Sequence, residues 1–486
     1  MDQVKKYYQL IPEKVFQSLN TIEDLMRPGI KGFSIDNLKE VISIVACHVR
    51  NEVEPAQLQM KYIKKLVPQG DKYLLGLIHL GIIQRSGIAS EKQKISYLYN
   101  FSPEYQSKYK SIPLNNAKLI LRIEKAHETF RKKESAKSIR GHSEQTKYLK
   151  QLTITDGFNE FIESTYSAET DQYNSVLGSA TRIINKDISY SVDTTSGRFH
   201  SNITNMAKGL RPFLRINGEP LVNIDIKNSQ PYLSTILLTD PGKVSWMTKN
   251  PAFAMLLQTL NVSLSQDVKI YISLVISGQL YEYLMSEFSK EGLHLTRIET
   301  KRQVLRILFA RNRMPRNPIN DTEVFIYKLT EKEKRKREEF IRDYPKIKKT
   351  RQIFIKLFPK VHRIFSKVRG HEKGDKFQNF KRFAILLQRI ESYLMLDVIL
   401  KRIYKELPGT IAVTVHDSIM TGILTNNVEA VHKIITEELT FFVGFAPKIE
   451  IEGIIKENKE EEERNKEERE RIIYNQYVAT NLATLN

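Results

Sequence analysis

The sequence predicts an α+β fold with more than one domain, and two observations lead to that prediction. First, a chain of 486 residues is longer than one hydrophobic core usually serves. Second, apolar residues are densest between about 175 and 455, where strand-like alternating runs mix with helix-like runs and Gly and Pro fall between them. We therefore expect an enzyme-sized body at 176–455, with smaller segments around it.

The N-terminal segment has its own pattern. Residues 73–101, YLLGLIHLGIIQRSGIASEKQKISYLYNF, begin like an apolar helix, stop at Gly81 and continue as two alternating runs around a loop. This pattern resembles a winged helix with its β-wing, a fold that binds DNA and also serves as a plain interaction module. We expect a winged-helix-like domain at 1–110, a helical linker or thumb-like region at 111–175, and a charged tail at 456–486 that carries no chemistry.

The charge of the chain indicates a polyanionic partner. Lys and Arg number 76 against 56 Asp and Glu, a net charge of +20, which favours nucleic acid, although the charge could serve solubility alone. The run 328–369 is helix-like and very basic, and predicts either a solvated helix face or a surface along a phosphate backbone. The single cysteine, Cys47, fits a reducing, cytoplasmic location. No run approaches the ~20 apolar residues of a membrane span, so we expect no membrane association.

Two aspartates lie in runs that alternate as strands do. Asp225 follows Leu221, Val222 and Ile224, and Asp417 lies in VTVHDSIMT, which predicts one strand. A buried carboxylate without a partner is costly, so such positions carry an ion pair, a hydrogen-bond network or a metal. If the two strands are neighbours, the aspartates could share divalent cations and support in-line phosphoryl transfer. Either aspartate alone is more often structural than catalytic.

A helix-like segment between the aspartates carries a second pattern. Arg297, Lys301, Leu305 and Phe309 recur every four residues, which places them along one face of a helix. Two cations followed by two apolar groups suit a ligand with a polyphosphate at one end and a flat base at the other. An amphipathic helix with solvated basic residues is the alternative.

Taken together, the motifs resemble one enzyme family. TTSGRFHS, LRPFLRINGEPLVNIDIKNSQPYL, the Arg297–Phe309 segment, LFPKVHRIFSKV, RFAILLQRIES and VTVHDSIM follow the motif order of the family A DNA polymerases and the related single-subunit, phage-type RNA polymerases. The resemblance covers about 190–425. It implies a right-hand polymerase whose palm is an antiparallel sheet and whose fingers are helical.

The resemblance also implies roles for individual residues. Asp225 and Asp417 would bind two Mg²⁺ ions, which Mn²⁺ can replace, and the backbone carbonyl of Ile226 would be a further ligand. Arg297 and Lys301 would hold the triphosphate of the incoming nucleotide.

Other residues would contact the base pair and the nucleic acid. On the same helix face, Leu305 would line the nucleotide site, and Phe309 would stand where a tyrosine packs at the nascent base pair. Arg198 and Gln388 match positions that touch the minor groove of the product duplex. His416 matches the histidine beside the primer terminus.

The sequence departs from the family pattern where the sugar is selected. Gln230 stands at the offset of a glutamate that helps DNA polymerases exclude ribonucleotides, and Ser418 after Asp417 is the RNA-polymerase form. Phe309 lacks the tyrosine hydroxyl, and Ala310 replaces the usual glycine. The first 190 residues show no paired-acid exonuclease pattern, so we expect no proofreading.

The sequence thus predicts a template-directed nucleotidyltransferase that uses a DNA primer–template and nucleoside triphosphates. A DNA polymerase that replicates a phage or mobile element is favoured, and an RNA polymerase or primase is the alternative. A catalytically inactive, DNA-binding replication factor is a further alternative. An HD-type phosphohydrolase would need more His and Asp ligands on helices, and a two-metal nuclease would lack the triphosphate-binding helix.

Overall fold

The structure is a computed structural model of the 486-residue chain. It describes residues 7–49, 56–87, 96–138, 142–168, 170–309, 331–370, 381–423 and 427–453. Ala310 and the tail at 456–486 therefore lie outside the described residues. The fold mixes helices with antiparallel sheets, as the sequence predicts.

The secondary structure has these bounds. The strands are β1 Tyr8–Pro12, β2 Ala56–Gln57, β3 Ile83–Ser86, β4 Leu98–Phe101, β5 Tyr109–Pro113, β6 Leu152–Ile154, β7 Tyr190–Val192, β8 Phe199–Ser201, β9 Leu214–Ile216, β10 Glu219–Ile226, β11 Ala412–Val415, β12 Ser418–Gly422 and β13 Ile449–Glu452. The α-helices are α1 Glu13–Gln17, α2 Leu19–Met26, α3 Ile35–His48, α4 Met60–Leu66, α5 Gly70–His79, α6 Ala117–Ser138, α7 Ser143–Lys150, α8 Phe158–Tyr166, α9 Thr170–Ile184, α10 Ser229–Ser234, α11 Ile236–Thr239, α12 Pro251–Thr259, α13 Gln266–Ile276, α14 Leu280–Lys290, α15 Arg297–Phe309, α16 Glu331–Leu357, α17 Pro359–Arg369, α18 Lys381–Ser392, α19 Leu400–Glu406 and α20 Val428–Val443.

The N-terminal part contains a small three-stranded sheet. Helix α5 ends at His79, the chain turns at Gly81 with φ of 72°, and β3 and β4 pair as an antiparallel hairpin. The short strand β2 adds to the far side of β4, which gives the strand order β2-β4-β3. Each of the two alternating runs predicted after Gly81 thus contains a strand, Ile83–Ser86 in the first and Leu98–Phe101 in the second.

Helix α9 ties this N-terminal part to the rest of the chain. Strands β1 and β5 form a separate antiparallel pair, and α9 packs beside β1. The Asn185 side chain just after α9 accepts from the Tyr8 N–H at 2.8 Å and donates to the Tyr8 carbonyl at 2.7 Å. Asn174 does the same for Tyr109 N–H and Ser107 C=O, at 2.8 and 2.9 Å.

Two expected domain boundaries fall inside regular elements. Strand β5 runs across residues 110 and 111, and α9 runs across residues 175 and 176. Buried apolar side chains from the N-terminal part and from the body belong to one connected core. The division into domains itself stays a prediction.

The body is built around an antiparallel sheet with strand order β11-β12-β10-β9-β6, in which β13 also pairs with β10. Strand β10 is central: β12 lies on one side, and β9 and β13 lie on the other. Strands β9 and β10 are joined by Asn217-Gly218, both with positive φ, as two-residue hairpins prefer. The apolar residues of β10 are buried, so this strand fixes the position of the side chains that follow at its end.

Helices pack around this sheet. Helix α15 contacts α14, α16 and α18, and α18 in turn contacts α10 and α17. Tyr271 of α13 is buried in an aromatic cluster with Phe354, Phe358 and Phe365. The basic run predicted to be helical forms α16 and α17. Among the described residues, every helix is too short or too polar to cross a membrane.

Candidate active site

Asp225 lies at the carboxyl end of the central strand. It is half-buried on β10, directly opposite Ser418 of β12 and Glu450 of β13. Three residues later, Asn228 takes a left-handed conformation with φ of 55°, and α10 begins at Ser229. The change from strand to helix thus places Asp225 at an edge of the sheet.

Asp417 lies in a hairpin turn, so the prediction of one strand for VTVHDSIMT is wrong. Strands β11 and β12 pair antiparallel with Val415 opposite Ser418, and His416-Asp417 forms the two-residue turn between them. His416 has φ of 58°, and two-residue hairpin turns require positive φ at the first central position. The alternating pattern continues on both sides of the turn and conceals it. Asp417 is therefore half-buried at a sheet edge, beside the end of β10.

The negative charge of Asp417 acts on Asp225. Burial, together with the neighbouring carboxylates of Asp417 and Glu452, raises the pKa of Asp225 to about 7, although Lys208 and Lys301 oppose the rise. Two carboxylates so close together favour a cation between them. Glu452 also accepts a hydrogen bond from Lys208.

A basic residue faces the same carboxylates. Burial lowers the pKa of the half-buried Arg211 guanidinium, and the charges of Glu452, Asp225 and Asp417 oppose that change. Arg211 lies in the turn that precedes β9.

The carboxylate pair fits a hard divalent cation without a larger protein cage. The described residues contain no group of three or more His, Cys, Asp or Glu side chains arranged to hold a metal ion. Mg²⁺ commonly binds through one or two carboxylates and takes its other ligands from water and substrate phosphates. Asp225 and Asp417 match that donor set, and the carbonyl of Ile226 remains a predicted ligand.

The four residues predicted to share one face of α15 lie beside this edge of the sheet. We call this set, Arg297, Lys301, Leu305 and Phe309, the α15 stripe. Arg297 and Lys301 are exposed, whereas Leu305 and Phe309 are half-buried. The core-facing residues of α15 are instead Thr300, Gln303, Val304, Ile307 and Leu308. The stripe therefore lies next to the buried face of the helix. Its cationic end is open to solvent, and its apolar end is partly covered.

The two cations of the stripe have different surroundings. Arg297 Nε lies 2.6 Å from Glu282 Oε1 of α14, and the guanidinium stands 5.5 Å from the ring centre of Tyr281. Lys301 is close enough to Asp225 to oppose the rise in its pKa. At the other end, the Phe309 ring lies 6.0 Å from that of Phe383 on α18.

Arg198 and Gln230 meet at a residue that the sequence analysis did not single out. Glu391 of α18 is 2% exposed. Its Oε1 accepts from Arg198 Nε at 2.8 Å and lies 2.7 Å from Arg198 Nη2, and its Oε2 accepts from the Gln230 side-chain amide. Burial, opposed by the Arg198 guanidinium and reinforced by the charge of Asp417, raises the pKa of Glu391 to about 7.

The turn that carries Arg198 is fixed by Asp193. The Asp193 carboxylate accepts from the Thr195 and Ser196 N–H groups at 2.9 and 2.6 Å, from the Ser196 hydroxyl at 2.6 Å and from the Arg198 N–H at 3.1 Å. Gly197 has φ of 75°, which its lack of a side chain permits. Arg389 of α18 donates to the Thr195 carbonyl at 2.8 Å. Helix α18 therefore holds this turn at two points.

His416 and Gln388 border the same region. The His416 ring lies 5.9 Å from that of His200, and burial lowers the pKa of His416, with Arg198 lowering it further. His416 is therefore neutral near pH 7. Gln388 is half-buried one turn before Glu391 on α18.

Several buried polar atoms near the two aspartates have no hydrogen-bond partner among the described residues. Most buried polar groups are paired, so such atoms suggest an additional ligand or water. Around the two aspartates they are Arg211 Nε, Asn223 Oδ1, Asn228 Nδ2, Ser229 Oγ, Gln230 Oε1 and His416 Nδ1.

The structure thus brings most of the predicted residues to one region. Asp225, Asp417, Lys301, Arg198, Gln230 and His416 are linked by contacts or by electrostatic interactions. Arg297, Leu305 and Phe309 share α15, and Gln388 shares α18 with Glu391. Sequence reasoning missed Glu391, Arg211, Lys208 and Glu452. Only Glu391 left a signal, because it follows Phe383 and Leu387 at helical spacing on a buried face.

No known protein family matches the chain, and no curated protein matches it either. Among solved structures, the chain is similar to the POL domain of Pol1 from M. smegmatis in complex with DNA primer-template and dNTP, with 12% sequence identity and a TM-score of 0.35. The match covers 92% of this chain and 66% of that chain.

Proposed function

We propose that this protein is a template-directed nucleotidyltransferase that extends a nucleic acid strand from nucleoside triphosphates. One observation carries the proposal: Asp225 and Asp417, 192 residues apart in sequence, meet at one sheet edge with Lys301 of α15 beside them. A carboxylate pair next to a row of cations on one helix suits a metal-bound polyphosphate.

The roles of the residues follow from their positions. Asp225 and Asp417 would hold Mg²⁺, which supplies charge stabilisation for the attacking and leaving oxygens when bound. Lys301 and Arg297 would bind the phosphates of the incoming nucleotide, with Leu305 and Phe309 further along the helix for the base. Arg211 would add positive charge at the same edge.

The surrounding residues would orient the strand that is extended. Arg198, Gln388 and His416 would contact the nucleic acid, and His416 would do so as a neutral imidazole with a free ring nitrogen. Gln230 would lie near the sugar of the incoming nucleotide. Because glutamine is neutral, it keeps the choice between dNTPs and NTPs open, and we favour a DNA product.

The finer proposal is a family A type DNA polymerase without proofreading that replicates a phage or mobile element in the cytoplasm. An RNA polymerase or primase is the alternative, and an inactive DNA-binding factor is a further one. The strand order β2-β4-β3 and the two preceding helices support a winged-helix-like N-terminal part that contacts DNA.

Nucleotide incorporation tests the proposal directly. Purified protein is given Mg²⁺, a primed or an unprimed template, and either dNTPs or NTPs. Primer extension with dNTPs indicates a DNA polymerase, and product from NTPs without a primer indicates a primase or RNA polymerase. No incorporation in any combination, with DNA binding intact, would contradict the enzymatic function and favour the inactive factor.

A matched variant shows whether the carboxylate pair is responsible. We expect Asp417→Asn to reduce incorporation by at least about 1,000-fold, because one of the two carboxylate ligands is lost. Salt-dependent DNA binding should stay nearly unchanged, since basic surfaces supply that affinity. If Asp417→Asn retains full activity, the site is elsewhere.

A further inference from the structure

Glu391 is a buried carboxylate to which the proposed reaction gives no role. Phe383, Leu387 and Glu391 recur every four residues on the buried face of α18. A carboxylate on such a face is costly unless it is paired and hydrogen-bonded. Its partners therefore indicate why it is there.

The two oxygens of Glu391 bind residues from two distant segments. Oε1 binds Arg198, which is 193 residues away in sequence and directly precedes β8. Oε2 accepts from Gln230, which is 161 residues away and lies in the first turn of α10. One side chain thus joins three segments: the Asp193–Arg198 turn, α10 and α18.

Both partners border the carboxylate pair. Gln230 comes five residues after Asp225, and its Oε1 is buried without a partner among the described residues. The charge of Arg198 lowers the pKa of His416, which is the neighbour of Asp417 in the hairpin turn. The charge of Asp417 in turn raises the pKa of Glu391. Any change at Glu391 therefore reaches the site through these two side chains.

We propose that Glu391 is a positioning residue, which holds the Arg198 guanidinium and the Gln230 amide in the orientation that binds nucleic acid beside Asp225 and Asp417. This inference rests on the proposed function for the identity of the bound molecule. The planar guanidinium binds carboxylates through its rigid fork of N–H groups. The ionised carboxylate fixes one edge of that fork, and the Arg198 side chain keeps 22% of its surface exposed for a further ligand.

A double-mutant cycle on duplex affinity tests the proposal. The variants are Glu391→Gln, Arg198→Lys and the double variant, and fluorescence anisotropy gives their affinity for a labelled primer–template duplex at fixed salt. We expect each single change to weaken binding by about 10-fold and the double change to weaken it no more than the stronger single one, because both remove one contact. Glu438→Gln, which removes a Glu–Arg pair between α19 and α20, should leave the affinity unchanged.

Thermal unfolding separates positioning from a purely structural role. If Glu391→Gln lowers the melting temperature but leaves duplex affinity unchanged, or if the two losses multiply in the double variant, the proposal is wrong. If Glu391→Gln does not fold, a second cycle is measured with Arg198→Lys, Gln230→Ala and their double variant. Coupling between these two changes, which meet through Glu391, supports the proposal, and additive losses overturn it.

The incorporation assay is run on the same wild-type preparation. If the wild type binds duplex with the expected coupling but incorporates no nucleotide, the polymerase function fails and the positioning role of Glu391 stands. If the wild type incorporates nucleotides and the coupling is missing, the positioning role fails alone.

Discussion

The pKa values of Asp225 and Asp193 are shifted in opposite directions by their surroundings. Burial and the nearby Asp417 raise the pKa of Asp225 to about 7. Burial also acts to raise the pKa of Asp193, but the Ser196 hydroxyl and the backbone N–H groups of Ser196 and Thr195 lower it to about 2. The fold therefore disfavours the ionised form of Asp225 and stabilises the ionised form of Asp193.

This contrast predicts opposite effects of the same substitution. In an unfolded chain aspartate titrates near pH 4, so the ionised Asp225 makes folding less favourable as pH rises from about 4 to 7. Without Mg²⁺, we expect Asp225→Asn to be more stable than the wild type by about 1 to 2 kcal/mol at pH 8 and equally stable at pH 4. Urea unfolding in EDTA at both pH values measures this difference.

Asp193→Asn is the matched control. The lowered pKa of Asp193 gives stability that is present above pH 4 and is lost as pH falls towards 2, so we expect this variant to be less stable by about 1 kcal/mol at pH 7. The loss should shrink as the pH is lowered. If Asp225→Asn unfolds more readily than the wild type at pH 8, the ionised Asp225 is a structural group.

At the scale of the element, α15 has a buried face next to an exposed face that carries Arg297 and Lys301. Thr300, Val304 and Leu308 face the core, while Lys301 is exposed near Asp225. We expect Lys301→Ala to raise the KM for nucleotide by about 10-fold or more, because a phosphate loses a charged partner. Steady-state incorporation kinetics measure the change.

The neighbouring residue on the same helix is the control. Arg302 is also exposed, and it lies about 100° further round the helix. Arg302→Ala should leave the KM for nucleotide within about 2-fold of wild type, since exposed charges off the site contribute little. Equal effects of the two substitutions would mean that α15 acts only through its general charge.

The β11–β12 hairpin shows why one element was predicted wrongly. Val413 and Val415 precede the turn and Ile419 follows it, and apolar alternation looks the same for one strand as for two strands joined by two residues. Turn signals are usually Gly, Asn or Asp with Gly, and His416-Asp417 lacks the glycine. Histidine takes the left-handed conformation more often than most residues but much less often than glycine, so His416 alone is a weak turn signal.

At the scale of the whole molecule, α9 joins the N-terminal part to the body through two asparagines. We expect Asn185→Ala to reduce the free energy of unfolding by about 1 to 3 kcal/mol, because both backbone groups of Tyr8 lose their partner. Urea unfolding followed by circular dichroism measures this. Asn205→Ala, at an exposed position, should change the stability by less than about 0.5 kcal/mol.

Sequence order and periodicity predicted the body better than they predicted the contacts of the site. The α+β class, the strand that carries Asp225 and the helix that begins at Arg297 follow from local patterns, which the chain encodes within ten to twenty residues. The pairing of Arg198 and Gln230 with Glu391 depends on segments 161 to 193 residues apart. Such contacts are set by tertiary packing, and a single sequence carries no periodic trace of them.

The two-residue turn at His416-Asp417 also limits where related sequences can carry insertions or deletions. One inserted or deleted residue would shift β12 by one position against β10 and would turn Ser418, Met420 and Gly422 to the opposite face of the sheet. The exposed Asn217-Gly218 turn joins β9 to β10 at the far end of β10 and carries no such penalty for the site. A search for distant relatives should therefore allow gaps at 217–218 and forbid them between Val415 and Ser418.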